Sequence, residues 1–298
     1  NSYLIVMIPF HSYHLIMNEF NAENIPMINI QSNISHDKES NRVYLSHFCK
    51  EDFPYIINHI ENLAQTNQYT KLFAKIRSCH TPLFIKNGYK IEAYVPNFFN
   101  GQEDCFFLVK YKNSERNLLD SVAMDKFQML FSTPVKEYRE TLPEKFTITE
   151  LKTSDITSMI EVFKKVFKTY PFPIFDSQFI KKSIEEDNTI YFGIWDNHQL
   201  VAISSAECNY QEQYAEMTDF AVLPSHRGYH LAIHLLATME AKLVNKQIKT
   251  VYTICRLNSL AMNKTFYNSQ YKYTGTLIQN TQISGNIESM NVWYKPLF

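Results

Sequence analysis

Glycine is scarce in this chain, with six residues in 298 against eleven prolines, which makes the place of each one informative. Neither sign of charge is in excess. Lys and Arg number 29 and Asp and Glu 30, a formal net charge of −1. Nothing in that balance drives binding to nucleic acid or to an anionic membrane by counterion release, so a small-molecule partner is expected and neither of those. Paired cysteines are missing too. Cys49, Cys79, Cys105, Cys208 and Cys255 are scattered, with no CxxC, and an odd, unpatterned set reads as reduced thiols of a cytoplasmic protein. The longest early apolar run, residues 3–10, is interrupted by Pro9, lacks a basic stretch before it and is too short to span a bilayer. The chain opens on Asn1 rather than Met, which leaves room for residues upstream.

Apolar and aromatic material, by contrast, is ample: 45% hydrophobic and 14% aromatic, with 22 Phe and 19 Tyr. That suffices for packed cores, and the length suits two domains of ordinary size. Residues 113–145 are charged, glycine-free and weakly amphipathic. They read as a helical linker between modules at 1–112 and 146–298.

In the second module strands and helices alternate. A strand at 146–151 precedes a helix with Ile156, Met159, Ile160, Phe163 and Val166 at helical spacing, and a second helix follows at 175–184. Strands are expected at 189–195, 199–208 and 215–223, then a helix at 229–246, a strand at 250–256, a helix at 259–269 and strands near 271–279 and 287–294. The order β-α-α-β-β-β-α-β-α-β-β predicts an α/β fold, a mixed sheet with helices on both faces. The first module echoes its last six elements: strand 42–46, helix 51–67, strand 69–76, helix 81–87 and strands 90–96 and 104–111. Lys71-Leu-Phe-Ala-Lys-Ile-Arg77 parallels Thr250-Val-Tyr-Thr-Ile-Cys-Arg256, Phe84-Ile-Lys-Asn-Gly-Tyr89 parallels Phe266-Tyr-Asn-Ser-Gln-Tyr271, and Val109-Lys-Tyr-Lys112 parallels Val292-Trp-Tyr-Lys295. Three matches in one order point to a domain duplication.

The strongest chemical signal is the junction of strand 215–223 with the helix after it, where Arg227-Gly-Tyr-His230-Leu-Ala232 forms the loop. Backbone N–H groups converging on a helix N-terminus bind anions, and Arg227 adds a positive charge. Any strand-helix junction offers such geometry, so the loop alone decides little. The segment resembles the acyl-CoA motif of the GNAT acetyltransferases, Arg/Gln-x-x-Gly-x-Gly/Ala. Ala215-Glu-Met-Thr-Asp-Phe-Ala-Val-Leu-Pro224, Glu288-Ser-Met-Asn-Val-Trp-Tyr294 and, in the first module, Ser32-Asn-Ile-Ser-His36 and Asn41-Arg-Val-Tyr-Leu45 are similar to the β-lysine N-acetyltransferases, from about residue 30 to the end. The resemblance implies a GNAT-like sheet preceded by a degenerate half-GNAT module, acetyl-CoA as acyl donor without a metal, and a small amine as acceptor. A homodimer is compatible with it.

Carried onto this sequence, the resemblance assigns the donor to Ala221, Val222, Arg227, Gly228, Tyr229, His230, Leu231 and Ala232, with Asn263 on the pantetheine arm. The family's central glycine is His230 here, a side chain where the diphosphate approaches and where a glycine dihedral would be strained. Glu216 is the expected base, because burial would raise its pKa toward neutrality. A solvent-facing or lysine-paired strand carboxylate is nearly as good a reading. Asp219 is the alternative base, on the opposite strand face unless a bulge reverses the alternation. The family's usual acid position is Phe266, which leaves Tyr267, rotated about 100° around the helix, or bulk water. His226, His230 and His234 recur every four residues, but His226 precedes the helix and no carboxylate joins them, which disfavours a metal. Cys255 reads as a buried structural thiol. Glu288, Asn291, Trp293 and Tyr294 on the last strand are the expected acceptor wall. Between strand 42–46 and its helix, the first module has two carboxylates and no glycine, which would repel a diphosphate; it would pack against, shield or shape the active module. The expected function is acetylation of the β-lysine side-chain amine to give an osmolyte. The alternatives are a weakened acyl-CoA-binding pseudo-enzyme or regulatory module, or acetylation of protein lysines.

Overall fold

The computed structural model describes residues 30–136 and 141–297; residues 3–10 lie outside them. Two sheets carry the fold. The first has the order β1-β2-β3-β5-β4, from β1 (Asn33–Asp37), β2 (Arg42–His47), β3 (Lys71–Arg77), β4 (Lys90–Phe99) and β5 (Glu103–Tyr111). Helices α1 (Tyr55–Asn67) and α2 (Thr81–Lys86) lie between its strands in the chain. The second has the order β11-β12-β10-β9-β8-β7-β6. Its strands are β6 (Phe146–Glu150), β7 (Thr189–Asp196), β8 (Gln199–Asn209), β9 (Tyr214–Val222), β10 (Thr250–Arg256), β11 (Lys272–Ile283) and β12 (Asn286–Pro296). Helices α4 (Ile156–Val166) and α5 (Ser177–Glu185) follow β6, and α6 (Leu231–Asn245) and α7 (Leu260–Asn268) flank β10. Apart from β1, which the sequence reading did not anticipate, these strands and helices follow the expected order.

The apolar spacing explains the layers. In α4 the buried residues are Ile156, Met159, Val162 and Phe163, and in α6 Leu231, Leu235, Leu236, Met239 and Leu243, one stripe in each case. Ser204 on β8 donates to Met239 of α6, while its neighbour Ser205 donates to Asp219, which also accepts from Tyr170 just beyond α4. Successive strand residues point to opposite faces, so α6 covers one face and the α4 side the other.

The duplication is visible in the pairing. β2–β3 and β9–β10 are parallel, β3–β5 and β10–β12 antiparallel, and β4–β5 and β11–β12 antiparallel. Phe84 and Tyr89 meet edge-on at 5.3 Å, as Phe266 and Tyr271 do at 5.2 Å. Between them Gly88 and Gln270 both take positive φ, 84° and 66°. The closing-strand match is displaced. Val109 stands opposite Phe73, whereas Val292 stands opposite Ile254, two residues further along than the counterpart of Phe73.

The expected helical connection contains α3 (Ser121–Gln128), N-capped by Asp120, whose side chain accepts from the Ala123 N–H at 3.0 Å. Its Ala123 and Phe127 join the second sheet's core. The sheets meet through β4, which lies against β10, β11 and β12, around an aromatic cluster that includes Phe98, Phe107, Tyr214 and Tyr252. At Gly275 the two sheets approach closely, since a Cβ there would lie 2.1 Å from the Glu92 carbonyl oxygen. Lys71 Nζ donates to the Ile278 carbonyl at 2.6 Å, and Thr250 Oγ1 to that of Asn97 at 2.8 Å. Among the described residues no helix is long and apolar enough to cross a membrane.

Candidate active site

A cavity of about 970 Å³ lies between the two sheets and reaches the start of α6. Its shape follows from β9. This strand pairs with β10 only from Tyr214 to Glu216, and beyond that point the parallel strands part. Against β8 it carries a bulge: Ser205 faces Thr218 and Ile203 faces Ala221, so Asp219 and Phe220 together oppose one residue. Asp219 takes φ of 55°, the left-handed conformation that such a bulge uses. The bulge brings the Asp219 carboxylate to the face of Glu216, where it accepts from Ser205 Oγ at 2.6 Å and Tyr170 Oη at 2.7 Å.

Three carboxylates therefore share one wall. Glu207 stands opposite Glu216 in register, and Glu216 accepts from Tyr252 Oη at 2.6 Å. Burial raises the pKa of all three. For Glu207 the charges of Glu216 and Asp219 raise it further, so it sits well above the usual carboxylate range. For Glu216 the Tyr252 hydrogen bond and Lys75 oppose the rise, and for Asp219 its two hydroxyl partners do. The cluster can hold an ammonium group and accept its proton.

At the other end Pro224–His226 forms a 3₁₀ turn, then Gly228 (φ 94°) and His230 (φ 56°) swing the chain into α6. Nothing lies within 4 Å of where a Cβ on Gly228 would be, so the backbone there is open to a ligand. No side chain caps α6, and its first-turn N–H groups point out of the helix end. Arg227, Gly228, His230, Leu231, Ala232 and Val222 line the cavity. These features fit a diphosphate at the loop and an extended arm between β9 and β10.

Other expected residues are not brought to the cavity. Tyr229 packs its ring on Phe146 at 5.3 Å, with Lys145 Nζ 4.3 Å from its centre. The side chain of Ala221 is buried in the core. Asn263 is fully buried, donating to the carbonyls of Arg256 and Ser259 and accepting from Asn291 and Trp293. Its polar atoms tie α7 to β12 and leave none for a ligand arm. Tyr267 donates to the Thr133 carbonyl at 2.9 Å, while Phe266 is the α7 ring that lines the cavity. Of the last strand Met290 lines the cavity, while the four residues expected as the acceptor wall do not. Glu288 pairs with Arg256, Asn291 and Trp293 bond Asn263, and Tyr294 packs at the junction of the sheets.

His226 and His230 line the cavity, His226 with its ring beside Asp196, and α6 begins only after His230, so the histidines share no helix face. Among the described residues no group of His, Cys, Asp or Glu is placed to hold a metal. Cys255 borders the cavity, and burial pushes its thiol up, above the ordinary range.

Sequence reasoning missed the opposite wall. Asn33, Ser35, Arg42, Tyr44, Lys75 and Arg77 of the first sheet line the same cavity. The alternation of Arg42, Tyr44 and Ser46 against buried Val43 and Leu45 signalled a two-faced strand, but not what its polar face would meet.

The Acetyltransferase (GNAT) family model matches residues 156–268. A β-lysine N(6)-acetyltransferase of Methanococcus maripaludis is 35% identical over 258 residues, 86% of this chain and 93% of its own. A Bacillus subtilis protein named N-acetyltransferase YodP is 31% identical over 236 residues, 78% of this chain and 85% of its own. A β-lysine N(6)-acetyltransferase of Methanosarcina mazei is 25% identical over 234 residues, 70% and 85%. Matches of this length take in both sheets. With the parted strands, the bulge and the loop before α6, they settle the lineage: the chain belongs to the GNAT family and is an N-acetyltransferase.

Proposed function

We propose that this enzyme transfers the acetyl group of acetyl-CoA to the side-chain amine of β-lysine, giving CoA and N6-acetyl-β-lysine, a zwitterionic osmolyte, in the cytoplasm. The observation that carries the reading is the single cavity joining the loop at 227–232 to the carboxylates of β9. The names of the relatives supply the acceptor.

Acetyl-CoA supplies the activated thioester; the chain's own groups do the rest. N–H groups at residues 228–232 and Arg227 hold the diphosphate. The unpaired backbone of β9 beyond Glu216 faces the arm and can donate to the thioester oxygen as charge develops there. Glu216 takes the proton from the acceptor ammonium, for which a carboxylate raised by burial is suited, with Asp219 supporting the same wall. The nitrogen–carbon bond forms as the carbon–sulfur bond breaks. The nitrogen gives up its second proton to water as the bond forms, and the thiolate takes one from water, because the ring of Phe266 has none to give. His230 adds strain at the loop, on the order of 1 kcal/mol, yet keeps its N–H. We therefore read the loop as a weakened donor site rather than a lost one.

Incubation with acetyl-CoA and β-lysine tests this, by following free CoA and the acetylated product. Release of CoA that depends on β-lysine is expected; its absence at saturating acceptor would sink the reading.

A further inference from the structure

The cavity is electrically two-sided. Its β8–β9 wall carries Glu207, Glu212, Glu216 and Asp219, whereas the lining residues of the first sheet include Arg42, Lys75 and Arg77 and no carboxylate. Arg77 is committed, paired with Glu103 at 2.7 Å and with Glu212. Arg42 and Lys75 both lie over aromatic rings, and the charge of Lys75 also reaches Glu216. Arg42 lies 5.3 Å from the ring centre of Tyr44 and 5.6 Å from that of Phe73, and Lys75 lies 5.3 Å from that of Tyr214.

Arg42 is 7% exposed, donates through Nη1 to the Asn280 carbonyl at 3.0 Å, and has no partner for its buried Nε among the described residues. A buried guanidinium with an unmet donor on a cavity wall is costly unless an anion arrives. Between the two cations Tyr44 offers a hydroxyl whose pKa burial raises to about 12, so it stays a donor.

Resting on the reading above, we propose that the first sheet is the acceptor-recognition half of the enzyme: Arg42, Tyr44 and Lys75 bind the carboxylate of a diamino acid while its reacting amine lies against Glu216. The carboxylate and side-chain amine of β-lysine sit at opposite ends of one chain, matching the two walls. The degenerate module thus selects amino acids over the simple diamines that the carboxylate wall alone would admit. Arg42 and Lys75 would hold the carboxylate end of the acceptor, and the charge of Lys75 also reaches Glu216.

The test compares β-lysine with its carboxamide, and lysine and ornithine with cadaverine and putrescine, by kcat/KM for CoA release. For the wild type the acid is expected to exceed its amide about 100-fold, the scale for leaving a buried charge without its partner. Lys75→Met should bring that ratio within about fivefold, chiefly through KM, and Lys75→Arg should restore much of it. Thermal unfolding and calorimetric acetyl-CoA binding report whether each variant is folded, and the wild-type ratio decides even where a variant is not. Equal rates on acid and amide, turnover of diamines but of no diamino acid, or an undiminished ratio in folded Lys75→Met would each overturn the assignment. Turnover of lysine or ornithine without β-lysine would sink only the β-lysine reading, with the anchor judged by the same ratio on the active acid. No turnover of any acceptor would overturn both.

Discussion

The two sheets repeat one β-α-β-α-β-β path, and one of them carries the loop we propose for the donor while the other does not. After β9 the chain opens at Gly228, turns left-handed at His230 and exposes the uncapped start of α6. After β2 the equivalent turn contains Asp52, whose buried carboxylate accepts N–H bonds from Ser32 at 2.6 Å and Gln31 at 3.0 Å. One loop leaves its donors facing outward; the other brings an internal anion to the chain's own donors. β9 has the bulge that gathers Asp219 beside Glu216, whereas β2 shifts register against β1 between Leu45 and His47 and presents Arg42 and Tyr44 to the cavity. Topology is thus shared, and a few local departures divide the labour.

Paired substitutions sharpen the contrast. Glu216→Gln should lower kcat/KM about 10²- to 10⁴-fold, the range for losing a general base, with folding intact by circular dichroism. Asp52→Asn, in the other module, should instead lower stability by about 1–3 kcal/mol in urea unfolding and leave the KM for acetyl-CoA within about twofold. A large KM effect would mean that the two loops are not divided in this way. Arg227→Ala should raise the KM for acetyl-CoA about 10-fold, as expected for one charge-assisted contact. His230→Gly should lower that KM about fivefold by relieving the left-handed histidine, so an increase would show that its imidazole helps the donor bind.

The smallest effect concerns pH. The pKa of Glu207 is raised on folding, so the unfolded chain loses this proton at lower pH than the folded one. Its contribution to stability is full below the unfolded value and falls as pH rises toward the folded one. Glu207→Gln should therefore stabilise the protein at pH 8 relative to wild type and lose that advantage at pH 4, read by Tm at both. A gain confined to pH 4 would place a charged, stabilising Glu207 in the wall.

Much of the frame was legible in the sequence. The strand and helix order of residues 146–296 follows from apolar period, and the helix-turn repeat of Phe84–Tyr89 and Phe266–Tyr271 survives as one local geometry. The start of α6 was less so: apolar spacing puts it near Tyr229, but the left-handed turn delays it to Leu231. Asn263 and Tyr267 were misplaced because a short helix flanked by two candidate faces has no internal mark of which face is covered. The last strand was misjudged for a larger reason. Strand β4 of the first sheet docks on β10–β12 through Gly275, which encloses that surface, and the wall of the cavity facing β9 comes from β2 and β3. Such long-range docking leaves no periodicity to read. Tyr170, Tyr252 and Lys75 were missed for the same cause, each reaching the cavity from a segment with its own apolar pattern.

A crystal structure with CoA and β-lysine bound tests the division of labour most directly. The diphosphate is expected on the N–H groups of residues 228–232, the side-chain amine within hydrogen-bond reach of Glu216, and the carboxylate on Arg42 and Lys75. An acceptor held by Glu288 and Tyr294 of the last strand, with the first sheet untouched, would contradict it.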